Sequence, residues 1–195
     1  MERLACVAIG YVFGCILSAE LVARAVAGTS VFSLGNGNPG MANVARSLGK
    51  GPAIACLAGD IGKVIVAGLL CRMLFPQLGR MAFGWAGIGA TLGHDFPLWH
   101  GLRGGKGVAT LAATLVLASP VRALVATAAA AASLLLSGYL SIAAVAASAS
   151  YVLACFGSTQ EMLVFAGCAF ALATSGQWTN LRGIRTGTAT RDLKR

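Results

Sequence analysis

A chain of 195 residues that is 57% hydrophobic and only 11% charged, with a mean hydropathy of +0.78, lies far from soluble domains, in which about a quarter of residues are charged. This excludes a soluble enzyme and leaves an integral membrane protein. The formal charge of +9 does not read as a nucleic-acid footprint, because no soluble domain is left to carry one; it reads as a topology signal that also meets anionic lipid.

Apolar stretches near the length needed to cross a hydrocarbon core, about 20 residues, occur at 4–27, 52–75, 81–99, 107–119, 121–137, 139–157 and 161–178. The expected fold class is all-α: a polytopic membrane protein of about seven helices in one domain over 1–195. The first run follows Met1, Glu2 and Arg3 as a secretory leader would. It is longer than a leader's core, and Glu20 and Arg24 sit near its end without a clear cleavage site, so it reads as the first span. Glu20 and Arg24 are spaced for an ion pair. Asp60 and Lys63 share a helical face deep in the second span, where charge is costly; an internal ion pair and a polar wall of a site are both open. Pro120 separates two short segments, so six spans with one broken helix is the alternative. Cys6, Cys15, Cys56, Cys71, Cys155 and Cys168 are scattered through apolar runs with no C-x-x-C pair, and read as packing residues rather than as metal ligands or a disulfide framework.

Basic residues orient the chain. With the amino terminus outside, Arg24, Arg46, Lys50, Arg103, Lys106, Arg182, Arg185, Arg191, Lys194 and Arg195 face the cytoplasm, against Arg3, Arg72, Arg80 and Arg122 outside. The positive-inside rule favours this arrangement. Three polar segments then share the cytoplasmic side: 33–50, 93–110 and 175–191, with SGYLS at 137–141 as a fourth contributor.

In the first segment Gly35, Gly37 and Gly40 formally satisfy G-x-G-x-x-G, but Pro39 interrupts the pattern and no βαβ unit surrounds it, so a dinucleotide fold is excluded. The glycines let backbone N–H groups converge on an anion, and Asn36, Asn38 and Asn43 add amide donors; a plain tight turn is the other reading. In the second, Gly104, Gly105 and Gly107 surround Lys106, and GVATLAATL reads as a helix whose unpaired N–H groups face the loop, a phosphate site in outline. It is not a Walker A loop, since His100 stands where that pattern needs glycine and Gly107, not Ser or Thr, follows the lysine. His94 lies beside this loop and reads equally as structural or catalytic; His100, beside Trp99, reads as interfacial.

The stretches GNGNPGMANVARSLGK, LGHDFPLWHGLRGGKGVAT and NLRGIRTGT resemble the three cytoplasmic motifs of the bacterial acyl-phosphate:glycerol-3-phosphate acyltransferases, the PlsY type. The resemblance runs along the whole chain. It implies an enzyme of the bacterial cell membrane that moves a fatty acyl group from acyl phosphate to the 1-hydroxyl of glycerol 3-phosphate, giving lysophosphatidic acid for phospholipid synthesis. Its substrates and membrane lipid are the expected partners, with no cofactor, metal or nucleic acid. The resemblance implies catalytic roles for Lys106, Asn180, His94 and Ser141, the last within a Y-x-S at Tyr139 and Ser141. It implies substrate binding by Gly35, Asn36, Gly37, Asn38, Gly40, Asn43, Arg46, Gly104, Gly105, Gly107, Thr110, Arg182 and Arg185. Acyl phosphate carries a good leaving group, so such a site must mainly align two anions and stabilise charge on the carbonyl. The chain lacks G-x-S-x-G and also H-x-x-x-x-D, since Trp99 and Gly105 fall at the fifth places after its two histidines.

Departures from the family pattern set the alternative. Phe32 stands where the family has Arg, Gln177 where it has His, Ala189 where it has Glu, and Gly183 where an Arg is usual, flanked by Arg182 and Arg185. Cys15, Leu17 and Asn36 replace Ser, Pro and Ser. Loss of Arg and His removes a bidentate phosphate ligand and the obvious base near the acceptor. A catalytically weak paralogue that binds a phosphorylated lipid or a partner protein, or an acyltransferase for another acceptor, is therefore the competing expectation.

Overall fold

The computed structural model describes residues 1–189, 191 and 192, so Lys194 and Arg195 of the basic tail lie outside the described residues. Among the described residues all regular structure is helical. Nine α-helices follow in order: α1 Glu2–Gly14, α2 Ser18–Ala27, α3 Met41–Leu48, α4 Lys50–Leu74, α5 Met81–Asp95, α6 Val108–Ala118, α7 Pro120–Ser137, α8 Leu140–Ala154 and α9 Gln160–Arg185. Short 3-10 turns occupy Val31–Ser33, Pro76–Leu78 and Leu98–His100. Among the described residues, four helical stretches are long and apolar enough to cross a bilayer: Glu2–Ala27, Lys50–Leu74, Pro120–Ser137 and Gln160–Arg185. Large apolar side chains such as Leu4, Met73, Leu124, Leu136 and Phe156 lie exposed on the helices, as expected where the surrounding solvent is lipid.

The chain forms two compact units, Met1–Thr114 and Leu115–Arg195. In the first unit α1 and α5 pack backbone to backbone. A Cβ at Gly10 would lie 1.9 Å from the Ala86 carbonyl oxygen, one at Gly14 2.2 Å from that of Ala90, and ones at Gly89 and Gly93 2.0 and 2.2 Å from those of Val7 and Tyr11. Glycine at a four-residue spacing on both helices is what permits this contact, the usual device for close helix association in lipid. Beside it, Ala19, Ala23, Val31, Val44, Ala53 and Cys56 form a buried cluster that joins α2, α3 and the start of α4.

The expected first span, 4–27, is broken at Cys15 to Leu17 into α1 and α2. Part of the expected first loop is helical as α3, because Val44 and Asn43 face inward while Met41 and Arg46 face outward. The third polar segment is mostly helix as well, since α9 runs on to Arg185 beyond the expected 178. The break at Pro120 is present: Ser119 separates α6 from α7, and Pro120 opens α7, where its missing N–H costs no hydrogen bond.

In the second unit α7 and α9 both pack against α8. Arg122 on α7 pins that unit at one end, donating to the Ala154 carbonyl at 3.2 Å, Ser119 Oγ at 3.0 Å and Ser158 Oγ at 2.6 Å.

Candidate active site

The glycine-lysine segment is wrapped around the end of α5. A Cβ at Gly104 would sit 2.0 Å from the His94 carbonyl oxygen, one at Gly105 2.1 Å from His94 Nε2, and one at Gly107 2.7 Å from Thr91 Cγ2 and 2.9 Å from Asp95 Oδ1. Gly107 also has φ +63°, a conformation other residues adopt only at a cost. Three glycines here are thus demanded by packing against α5 before any ligand is considered. The Gly105 N–H donates to the His94 carbonyl at 2.9 Å, so this amide, expected to face an anion, serves the loop's own closure. Thr110 is fully buried, and its hydroxyl donates to the Gly107 carbonyl at 3.1 Å, fixing the start of α6. Lys106 lies between these anchored glycines and is half-buried.

His94 is buried, with Nδ1 2.9 Å from Lys63 Nζ. An ammonium can only donate, so Nδ1 accepts and the ring proton belongs on Nε2, the atom that faces Gly105. Lys63 Nζ also donates to the carbonyls of Gly14 at 3.2 Å and Ile16 at 3.0 Å, and lies 3.0 Å from Asp60 Oδ1. Four acceptors exceed three ammonium protons, and the Asp60 contact is an ion pair without an aligned hydrogen bond. The expected Asp60–Lys63 pair therefore exists and does something periodicity could not show: it supplies donors to carbonyls freed by the break between α1 and α2. Trp99 Nε1 takes the intervening Cys15 carbonyl at 2.9 Å, and Tyr11 Oη donates to the Phe96 carbonyl at 2.7 Å, so the break and the turn after α5 are stitched together. Asp95, to which the sequence motifs assign no role, is buried beside Gly107 with neither carboxylate oxygen hydrogen-bonded among the described residues. The His100 ring packs against Phe32, centroids 5.6 Å apart.

The first loop is organised by Asn43, 1% exposed on α3. Its Oδ1 accepts from Asn36 N at 3.1 Å and its Nδ2 donates to the Leu34 carbonyl at 2.9 Å, while Asn36 Oδ1 accepts from Asn38 N at 3.1 Å. Gly35, at φ +52°, leaves room for the Asn43 carboxamide. Asn43 shapes the loop from beneath; Gly35 and Asn36 are exposed, and Gly37, Asn38 and Gly40 partly so. Arg46 stands exposed at the end of α3. Glu20 anchors the approach to this loop, accepting from Arg24 Nε at 2.6 Å, Ser30 Oγ at 2.9 Å and Val31 N at 2.8 Å.

In the second unit Asn180 Nδ2 donates to Ser141 Oγ at 2.8 Å and to Gln177 Oε1 at 3.2 Å. Ser141 and Gln177 are buried. Arg182 and Arg185 extend from the last turn of α9, the former with its guanidinium 5.1 Å from the Trp178 ring centroid. The structure brings together His94 with Gly104 and Gly105, Asp95 with Gly107, Asn43 with Gly35 and Asn36, and Asn180 with Ser141.

Helices fit for a bilayer, with anchored loops that carry glycines, asparagines and Lys106, define the class as an integral membrane protein. The family model for glycerol-3-phosphate acyltransferase matches residues 4–187, and the chain belongs to that family. A glycerol-3-phosphate acyltransferase of Thermoanaerobacter sp. (strain X514) is 30% identical over 182 residues, 92% of this chain and 90% of that one. One from Pseudomonas aeruginosa (strain LESB58) is 41% identical over 121 residues, 62% of this chain and 63% of its own. The crystal structure of PlsY (YgiH), an integral membrane glycerol 3-phosphate acyltransferase, superposes in its glycerol 3-phosphate form with TM-score 0.83 at 29% identity, over 98% of this chain and 96% of that one. Its lysophosphatidic acid form gives the same TM-score at 28% identity.

Proposed function

We infer that this chain is a membrane acyltransferase that acylates the 1-hydroxyl of glycerol 3-phosphate, with acyl phosphate as donor and lysophosphatidic acid and inorganic phosphate as products. Membership of the family over residues 4–187 carries the reading. The glycine-lysine loop supports it physically, since anchoring on His94 and Asp95 fixes the Lys106 backbone before substrate arrives.

In the proposed reaction the glycerol oxygen bonds to the acyl carbonyl carbon and the carbon–oxygen bond to phosphate breaks. The hydroxyl proton leaves with the departing phosphate. Lys106 and the first turn of α6 hold one phosphate, the first-loop glycines with Asn36, Asn38 and Arg46 the other, and Asn180 with Ser141 orients the acceptor. Arg182 and Arg185 add positive charge toward anionic substrate. His94, fixed by Lys63, supports the loop through Nε2. Asn43 and Thr110 contribute to binding through the shape they give the loops. The chain acts as one integral domain of about seven spans, with amino terminus outside and the motif segments cytoplasmic.

The test is acyl transfer by the purified protein in lipid, from palmitoyl phosphate to labelled glycerol 3-phosphate. Lysophosphatidic acid should form, and Lys106→Ala should lower turnover by about 100-fold or more, the usual loss for a removed electrostatic stabiliser. Undiminished turnover in that variant removes Lys106 from the mechanism; no product from the parent chain overturns the activity.

A further inference from the structure

We propose that Asp192, in the carboxyl-terminal tail, is a positioning residue for the Ser141–Asn180 pair. This rests on the reading above that the pair orients the acceptor.

Helix α8 begins at Leu140 with Tyr139 in the capping position, and an aromatic side chain supplies no cap to the unpaired N–H groups of a first turn. The tail supplies it. Asp192 Oδ2 accepts from Leu140 N at 3.0 Å, and the Asp192 N–H donates to the Gly138 carbonyl at 2.9 Å. The Arg191 guanidinium lies 5.8 Å from the Tyr139 ring centroid. Two consecutive tail residues thus grip Gly138 and Tyr139, which join α7 to α8, and Leu140, the first residue of α8. A carboxylate is the favoured partner for that helix end, because the aligned peptide dipoles leave it partly positive.

The residue after Leu140 is Ser141, whose Oγ accepts from Asn180 Nδ2 at 2.8 Å. Asn180 lies on α9, and α9 leads into the tail through Gly183, whose carbonyl accepts from Thr188 N at 2.8 Å and Ala189 N at 3.1 Å. The chain therefore closes a ring: from Asn180 along α9, back through the tail to the first turn of α8, and across Ser141 to Asn180 again. Asp192 is exposed and touches no group proposed to react. Its effect passes through the first turn of α8, which sets where Ser141 Oγ sits.

The experiment compares Asp192→Ala, Asp192→Asn, Ser141→Ala, Asn180→Ala and the Asp192→Ala/Ser141→Ala double variant, each as the full chain in lipid vesicles with palmitoyl phosphate and labelled glycerol 3-phosphate. Asp192→Ala should lower kcat/KM for glycerol 3-phosphate about fivefold to tenfold, the size of a lost helix cap, with KM for the acyl donor unchanged. Asp192→Asn keeps an acceptor oxygen and should restore most of the loss. The double variant should be no worse than Ser141→Ala alone, as for residues acting through one another. Parental activity in Asp192→Ala, failure of Asp192→Asn to rescue, or full additivity in the double variant overturns the proposal. Parental activity in Ser141→Ala or Asn180→Ala instead overturns the reading of the pair, and the proposal with it.

Discussion

At residue scale, the glycine-lysine segment illustrates how one composition serves two demands. Gly105 must lack a side chain because His94 Nε2 stands 2.1 Å from where a Cβ would be, while Lys106 beside it carries the charge. Gly105→Ala should therefore displace the loop and lose acyl transfer, whereas the exposed Gly101, with nothing near its Cβ position, tests backbone conformation alone. Lys63 permits a sharper prediction. It satisfies Gly14 and Ile16 carbonyls and balances buried Asp60, so Lys63→Met strands a buried carboxylate and two carbonyls. Stability should fall by about 3–5 kcal/mol, as for breaking a buried pair from one side, read as a lower Tm in detergent. Asp60→Asn combined with Lys63→Met should recover part of that loss; no recovery shows that the free carbonyls, not the stranded charge, dominate.

Individual elements show how the break between α1 and α2 is tolerated within an apolar run. A helix interrupted in lipid exposes carbonyls that no water can satisfy, and here Lys63, Trp99 and Lys63 again take the oxygens of Gly14, Cys15 and Ile16. The α1–α5 contact depends on absent side chains rather than complementary ones. Gly10→Ala places a methyl 1.9 Å from a carbonyl oxygen of α5, so the helices must separate, and the yield of folded protein should drop sharply in size-exclusion profiles. Gly62→Ala on α4 meets nothing within 4 Å and should leave Tm unchanged or raise it, since alanine is favoured over glycine in a helix by about 0.5–1 kcal/mol. Equal effects of the two substitutions reject close packing as the role of Gly10.

For the whole molecule, topology is the open proposal, and the positive-inside bias makes it testable. The native cysteines are buried except for the partly buried Cys168, so an added cysteine reports cleanly. In intact cells, Gln77→Cys in the turn between α4 and α5 should react with a membrane-impermeant maleimide, and Asn38→Cys in the first loop should react only after permeabilisation. The reverse pattern inverts the chain in the membrane and places the motif loops outside.

Composition and the long apolar runs determined that this is a helical membrane protein, because runs of about 20 predominantly apolar residues satisfy their backbone in lipid as helices, whereas the strands of a closed barrel alternate apolar and polar. The motif residues, with their glycines, lysine and asparagines, pointed to phosphate chemistry and to the family, since those residue types at those spacings are local and survive in one dimension. The Glu20–Arg24 and Asp60–Lys63 pairs were legible for the same reason, each partner lying within one helical turn of the other. What only the tertiary structure decided lies between distant segments. Lys63 bonded to His94 and to the Gly14 carbonyl, Asn43 beneath the first loop, Gly104 and Gly105 against His94, and Asp192 at the head of α8 each join residues that no periodicity relates. The helix α3 and the end of α9 are not legible as helices in the sequence because their polar residues break the apolar pattern; α3 forms because Asn43 and Val44 give it a buried face, and the end of α9 continues a helix already formed over the preceding span.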